Sequence, residues 1–270
     1  MARRIQRSLT GLLLGAAAAA AQPPEGAALL QKAAAAVREN RREAVFFVFQ
    51  ERVVHREWDR AGALTSEGET GYEVLMIEGE PYHRRVSRNG RPLSEAERAE
   101  EDLRLRQTAD FRRKTPLEER RKRFAAAERA RLRFDVRTLA ENHLARFDGE
   151  SACPTGPCLA LSVWPKPKAP KPKHPYEWTL ALRGHLWLDR ETLHPVRAAM
   201  EQTIDFYGQP AGSRTVFDYG RVDGVWLIHR ILSEVPASRR EQTARRETVQ
   251  EYSQYQRFQA ESVLVFRDVP

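Results

Sequence analysis

The chain has 270 residues, with 45 lysines and arginines against 37 acidic residues and a formal charge of +8. A balance this mild keeps a protein soluble and gives weak attraction to anionic surfaces, but it does not single out nucleic acid as a partner. The length suffices for one substantial sheet-rich core, and no segment after residue 21 has the uninterrupted apolar run of a membrane-spanning helix.

The chain opens with MARRIQR, followed by SLTGLLLGAAAAAA and Gln22-Pro23-Pro24. This charged, apolar and small-residue order is that of a secretory signal. Its apolar stretch, Ser8 to Ala21, is only 14 residues long, too short to span a bilayer. Cleavage after Ala21, with Ala19 and Ala21 at the small-residue positions, is expected to leave a periplasmic chain of 249 residues and charge +5. No cysteine lies near that site to carry a lipid. The domain division is therefore a signal peptide over 1–21 and a single domain over 22–270.

From Ala27 to Arg42, Leu29, Leu30, Ala33, Ala34 and Val37 recur at helical spacing beside charged residues, which predicts an amphipathic helix. The stretch AVFFVFQERVVHREW then has strand propensity, and two further strands are broken at Glu78-Gly79-Glu80-Pro81. At Pro92 the composition changes: a helical insert is expected over about 93–131, in two pieces that open with the capping boxes Ser94/Glu97 and Thr115/Glu118. Its 12 basic and 9 acidic residues from Glu95 to Arg131 are interleaved, the pattern of a solvated face.

Beyond Phe134 the chain reads as an antiparallel meander with turns at Gly, Pro and Asp. Val196, Ala198, Met200 and Ile204 alternate with polar residues, giving one apolar face. The stretch WPKPKAPKPKHPYEW (164–178) joins two segments expected to be neighbouring strands. Its prolines hold the backbone extended and its lysines keep it wet, so it reads as a spacer in preference to a membrane-surface arm.

Chemical motifs are sparse. Nucleophile elbows, phosphate loops, zinc helices and calcium loops do not occur, so neither catalysis nor a metal or other cofactor is expected. Asp189 and Glu191 in LDRETLHP resemble an acid/base pair, but the turn position favours a carboxylate bonding its own backbone. Cys153 and Cys158 enclose four residues and, in an exported chain, are expected to form a disulfide; a redox site would favour a tighter spacing, and a zinc site would need more ligands. Trp187 and Trp226 can fill a core or line an apolar cavity.

The hairpin GHLWLDRETLHPVRAAMEQ resembles the Gly-x-x-Trp-Ile-Asp-x-x-Thr hairpin of bacterial outer-membrane lipoprotein-sorting proteins. DGVWLIHRILSEV resembles their following Trp-Leu-Pro-Arg hairpin, with Ile228 and His229 in place of proline and arginine. The resemblance implies an α+β fold: a strongly curved antiparallel sheet, open like an unclosed barrel, with helices covering its concave apolar face. It also implies a non-catalytic soluble carrier whose partner is a lipid or lipoprotein acyl chain, with only peripheral membrane contact and no nucleic acid. A non-catalytic envelope sensor or protein-interaction module on the same fold, with an envelope protein as partner, is the alternative. Alternation and the resemblance together place the acyl-chain site on Val196, Met200 and Ile204, joined by Phe47, Phe49 and Trp226; Phe47 and Phe49 follow from choosing one strand register over its neighbour.

Overall fold

The computed structural model describes residues 25–116, 118–123, 134–236 and 243–258. The proposed signal peptide and much of the second half of the helical insert lie outside them. Helix α1 (Glu25–Ala44) comes first. It is followed by β1 (Phe47–Asp59), β2 (Leu64–Ile77), β3 (Glu80–Arg88) and the two-residue β4 (Arg91–Pro92). Next are α2 (Glu95–Lys114) and the short α3 (Val136–Asn142). Strands β5 (His143–Cys153), β6 (Gly156–Pro165), β7 (Leu182–Asp189) and β8 (Pro195–Gln202) come after them. The described part ends with β9 (Arg214–Val222), β10 (Val225–Pro236) and β11 (Thr243–Arg257).

All the strands join one antiparallel sheet in the order β4-β3-β2-β1-β11-β10-β9-β8-β7-β6-β5. Its two end strands do not pair with each other, so the sheet is open, as the resemblance implies. Pairing of β1 with β11 brings the two ends of the described chain to the middle of the sheet. Tight hairpins fix the register on either side: Asn89 and Gly90, like Asp223 and Gly224, both take positive φ, the geometry that matches a two-residue turn to the strand twist.

The sheet curves round α1. Leu30 and Ala33 on the first half of the helix are fully buried against Leu161, Leu186, Ala198 and Phe217, which come from four successive strands. Val136 and Leu139 of α3 complete this core. The helix approaches the edge strand so closely that a Cβ on Gly26 would meet the Ala145 carbonyl oxygen at 2.6 Å, a contact only glycine permits.

Helix α2 behaves differently. It opens with the expected Ser94/Glu97 capping box. Its buried Leu105 and Ala109 pack on Leu75, Ile77 and Tyr82. Tyr82 and its neighbour His83 point to opposite sides of β3, and His83 belongs to the concave side, so α2 covers the convex face. The expectation that helices cover the concave face therefore holds for α1 and α3 but not for α2. The second capping box also serves otherwise: the Thr115 hydroxyl donates to the Phe111 carbonyl at 2.7 Å and ends α2. Residues 118–123 are helical.

Candidate functional site

Beyond Val37 the concave face is hollow. A cavity of about 440 Å³ lies between the second half of α1 and strands β1, β3, β9, β10 and β11. Its helix side consists of Val37, Asn40, Arg41 and Ala44, which continue the helical stripe begun by Leu30 and Ala33. Small and polar residues have replaced leucine there, and among the described residues no second helix stands beside α1 as α3 does further up. On the sheet side Phe49 meets Tyr252 and Tyr255, with ring centroids 5.5 and 5.3 Å apart.

Asn40 holds the two layers together. Its side-chain amide donates to the Trp226 carbonyl and accepts from the Trp226 N–H, both at 2.8 Å, like one rung of a sheet ladder. Trp226 is fixed further by its indole N–H, which donates to Thr192 Oγ1 at 3.2 Å. The His194 ring stacks on it at 5.5 Å with an interplanar angle of 1°. His194 is only 3% exposed. Its burial pushes the imidazole down to about 4, against a smaller upward effect of the Pro195 carbonyl, which lies 2.9 Å from Nδ1.

At the other end is a polar mouth. The Glu51 carboxylate, 6% exposed, accepts from Gln250 Nε2 at 3.0 Å and lies 3.0 Å from Nδ1 of His83, whose side chain is 51% exposed. Burial pushes the Glu51 carboxyl up, but the hydrogen bond and charge of His83, with Gln250 and Tyr252 donating as well, outweigh it and hold the group below the usual carboxylate range. Tyr255 donates to the Ile228 carbonyl.

Of the six residues expected to line a site, Phe47, Phe49 and Trp226 border this cavity. Val196, Met200 and Ile204 do not. Alternation along β8 is as expected, but Met200 faces the part of the concavity that α1 and α3 fill, and it is 2% exposed within that core. Val196 packs with Trp226 and Cys158 in an adjoining cluster. Ile204 lies past Gln202, the last residue of β8; the period of two stops there and the side chain is 39% exposed.

Sequence reasoning missed Asn40, Glu51, His83, His194 and Tyr219. Asn40 was visible as the next turn of the α1 stripe. The others required strand pairings and turn positions that sequence spacing does not supply: His83 of β3 meets Glu51 of β1 across β2, and Tyr219 of β9 meets His194 in the turn before β8.

The remaining candidates fall where their chemistry suggested. Cys153 and Cys158 are bonded across the β5–β6 hairpin. Asp189 accepts from the N–H and hydroxyl of Thr192, at 2.8 and 2.7 Å, and so serves its turn. The 164–178 spacer joins the neighbours β6 and β7. It ends in a 3₁₀ segment (Pro175–Ala181) whose Trp178 packs on Phe217. None of its residues borders the cavity. Among the described residues there is no cluster of histidine, cysteine and acidic side chains able to hold a metal. No helix among them is long and apolar enough to cross a membrane.

No protein-family model and no curated protein matches this chain. Solved structures similar to it include a DUF1329 family protein from Desulfovibrio piger, at 14% identity and a TM-score of 0.36, covering 89% of this chain and 95% of that one. A domain described as outer-membrane lipoprotein-sorting, from Vibrio parahaemolyticus, is similar at 11% identity and a TM-score of 0.37 over 87% and 95% of the two chains. A LolA superfamily protein from Nitrosomonas europaea follows at 12%, with a TM-score of 0.33 over 90% and 94%. Likeness of this order concerns the arrangement of strands and carries nothing about ligand or partner.

Proposed function

We propose that this protein is an exported, periplasmic carrier that holds a single acyl chain between α1 and the hollow half of its sheet. The observation that supports this is the cavity of about 440 Å³ bordered by Val37, Ala44, Phe47, Phe49, Leu227 and Ile231. Its volume lies in the range of small-molecule sites. If one carbon-sized group takes the ~30 Å³ of a liquid water molecule, the space holds about fifteen such groups, one chain and not several. Ten buried methylenes would give about 8 kcal/mol before the costs of ordering are subtracted.

The role is that of a carrier and not a catalyst. Ser162, His185 and Asp148 do meet on the outer face of β5–β7. However, Ser162 Oγ donates its proton to Asp148 at 2.5 Å, while His185 Nδ1 stands 3.2 Å away, so the histidine is not placed to draw that proton from the serine. Within the envelope, the chain's donor or acceptor would be another protein or the membrane surface, met at the mouth beside His83.

Two measurements test the reading. Mass spectrometry of the protein purified from its native envelope is expected to find a copurifying single-chain lipid. Replacement of Ala44 by Trp, which fills the cavity from the helix side, is expected to lower affinity for a fluorescent fatty acid at least tenfold, with an unchanged circular-dichroism spectrum. Full binding by a folded Ala44→Trp protein would refute this location.

A further inference from the structure

The polar side chains around the cavity differ in how they are occupied. Asn40 is spent on the Trp226 backbone, the Trp226 indole on Thr192, and the Tyr255 hydroxyl on a carbonyl. Glu51 bonds both His83 and Gln250, and Arg41 is engaged by other groups. Two groups remain. Among the described residues the Tyr219 hydroxyl has no hydrogen-bond partner, and the His194 ring bonds only through Nδ1. Because Nδ1 faces a carbonyl it carries the proton, leaving Nε2 as an acceptor. The two rings meet edge to face at 5.5 Å, so both serve the same corner of the cavity.

We infer that this corner recognises an uncharged oxygen group on the ligand, an alcohol hydroxyl or an ester, and discriminates against carboxylate, phosphate and ammonium head groups. The inference rests on the single-chain reading above. A hydroxyl can donate to His194 Nε2 and accept from Tyr219; an ester oxygen can accept from Tyr219. A charged head group there would lose its hydration, and the charges near the corner are already engaged, Asp189 by the N–H and hydroxyl of Thr192 and Arg221 over the Trp226 ring. Both protein groups stay neutral over the ordinary pH range: burial pushes the Tyr219 phenol up and the His194 imidazole down to about 4. Leaving these two polar groups unmatched is the cost that a plain hydrocarbon end would incur.

The experiment is displacement of N-phenyl-1-naphthylamine from the full-length mature protein by dodecanol, dodecanoate and dodecylamine at neutral pH. Dodecanol is expected to displace the dye at least tenfold more tightly than either ion, and Tyr219→Phe is expected to reduce the dodecanol-to-dodecylamine ratio about tenfold, the share of one hydrogen bond. Dodecanoate binding as tightly as dodecanol, with that affinity lost in Arg41→Gln, would overturn the inference by placing an anion on the helix. An unchanged ratio in a folded Tyr219→Phe protein that still takes up the dye would also overturn it while leaving the acyl-chain site intact. Failure of the wild-type protein to bind the dye or any of the three compounds would instead remove the underlying reading. The wild-type series needs no variant, so a misfolded Tyr219→Phe protein cannot shelter the inference.

Discussion

Between Glu25 and Ala33, α1 rests on β5 and α3 and buries leucine and alanine into a core that leaves no room, whereas between Val37 and Ala44 the same helix faces aromatic rings across an empty space. The sheet is continuous beneath both halves. Two things separate them: α3 stands beside the first half only, and the residues that would close the second half are Asn40, Arg41 and Ala44. The helix that might have filled it, α2, was delivered to the convex face by the side on which Leu75 and Tyr82 emerge. A concave sheet thus becomes a core or a cavity according to where its helices land, and strand patterning alone does not decide between the two.

The sharpest way to break this contrast is to truncate one aromatic ring in each half. Phe217, 1% exposed and stacked on Phe134 at 5.1 Å, is expected to cost about 3–5 kcal/mol when replaced by alanine. Phe49 borders the cavity, so Phe49→Ala is expected to cost no more than about 2 kcal/mol, because the side that faces the cavity is less tightly packed than the surroundings of Phe217. Urea unfolding of the two variants measures both. Equal losses would mean that the second half is as solid as the first.

A smaller effect separates the halves by pH. In the folded protein His194 protonates only near about 4, whereas in the unfolded chain it does so near 6.5. Between those values the unfolded state binds the extra proton, so stability is full above about pH 6.5 and declines as the pH falls toward 4. The loss from this residue is about 3 kcal/mol. His143, buried in the filled half, is lowered in the same sense by its own desolvation. Glu51 adds a further loss at still lower pH, because its carboxyl is held below the ordinary value of 4.5 and its stabilisation disappears as the pH falls through its folded pKa. Replacing His194 by Gln is expected to flatten, though not abolish, the decline in urea midpoint between pH 6.5 and 4. An unaltered slope would show that His194 is not the buried neutral group described.

How much of this could be read from the sequence depended on the range of each interaction. Local signals worked: the apolar spacing of α1, the Ser94/Glu97 box, the Asp189 turn and the short disulfide loop all act over a few residues, where chain geometry leaves few choices. The β8 alternation was equally legible, and yet Met200 belongs to the core and not to the cavity. Alternation specifies a face but not what stands opposite it. Phe47, Phe49 and Trp226 were placed by a chosen register together with the family resemblance. Their cavity partners Tyr252 and Tyr255 come from β11, whose pairing with β1 spans about 200 residues of sequence, as with Glu51 and Gln250. Thr115 shows the limit even of a local motif: the same hydroxyl can start one helix or finish another, and here the preceding Phe111 carbonyl takes it.

The smallest expected effect concerns the lysine-rich spacer. Lys166 donates from Nζ to the Glu141 carbonyl at 2.6 Å, a bond exposed to water, and exposed polar contacts of this kind contribute little because water competes for both partners. The spacer's packing comes instead from Trp178 on Phe217, in the filled half. Replacing Lys166, Lys168, Lys171 and Lys173 together by glutamine is therefore expected to shift stability by less than about 1 kcal/mol and to leave fatty-acid affinity unchanged in detergent-free solution. Delivery to anionic vesicles is a separate property, since each lysine held near such a surface contributes about 1 kcal/mol of attraction. Loss of binding in solution, with Ala44→Trp without effect, would move the ligand from the hollow half of the sheet to the spacer and reverse the contrast between the two halves.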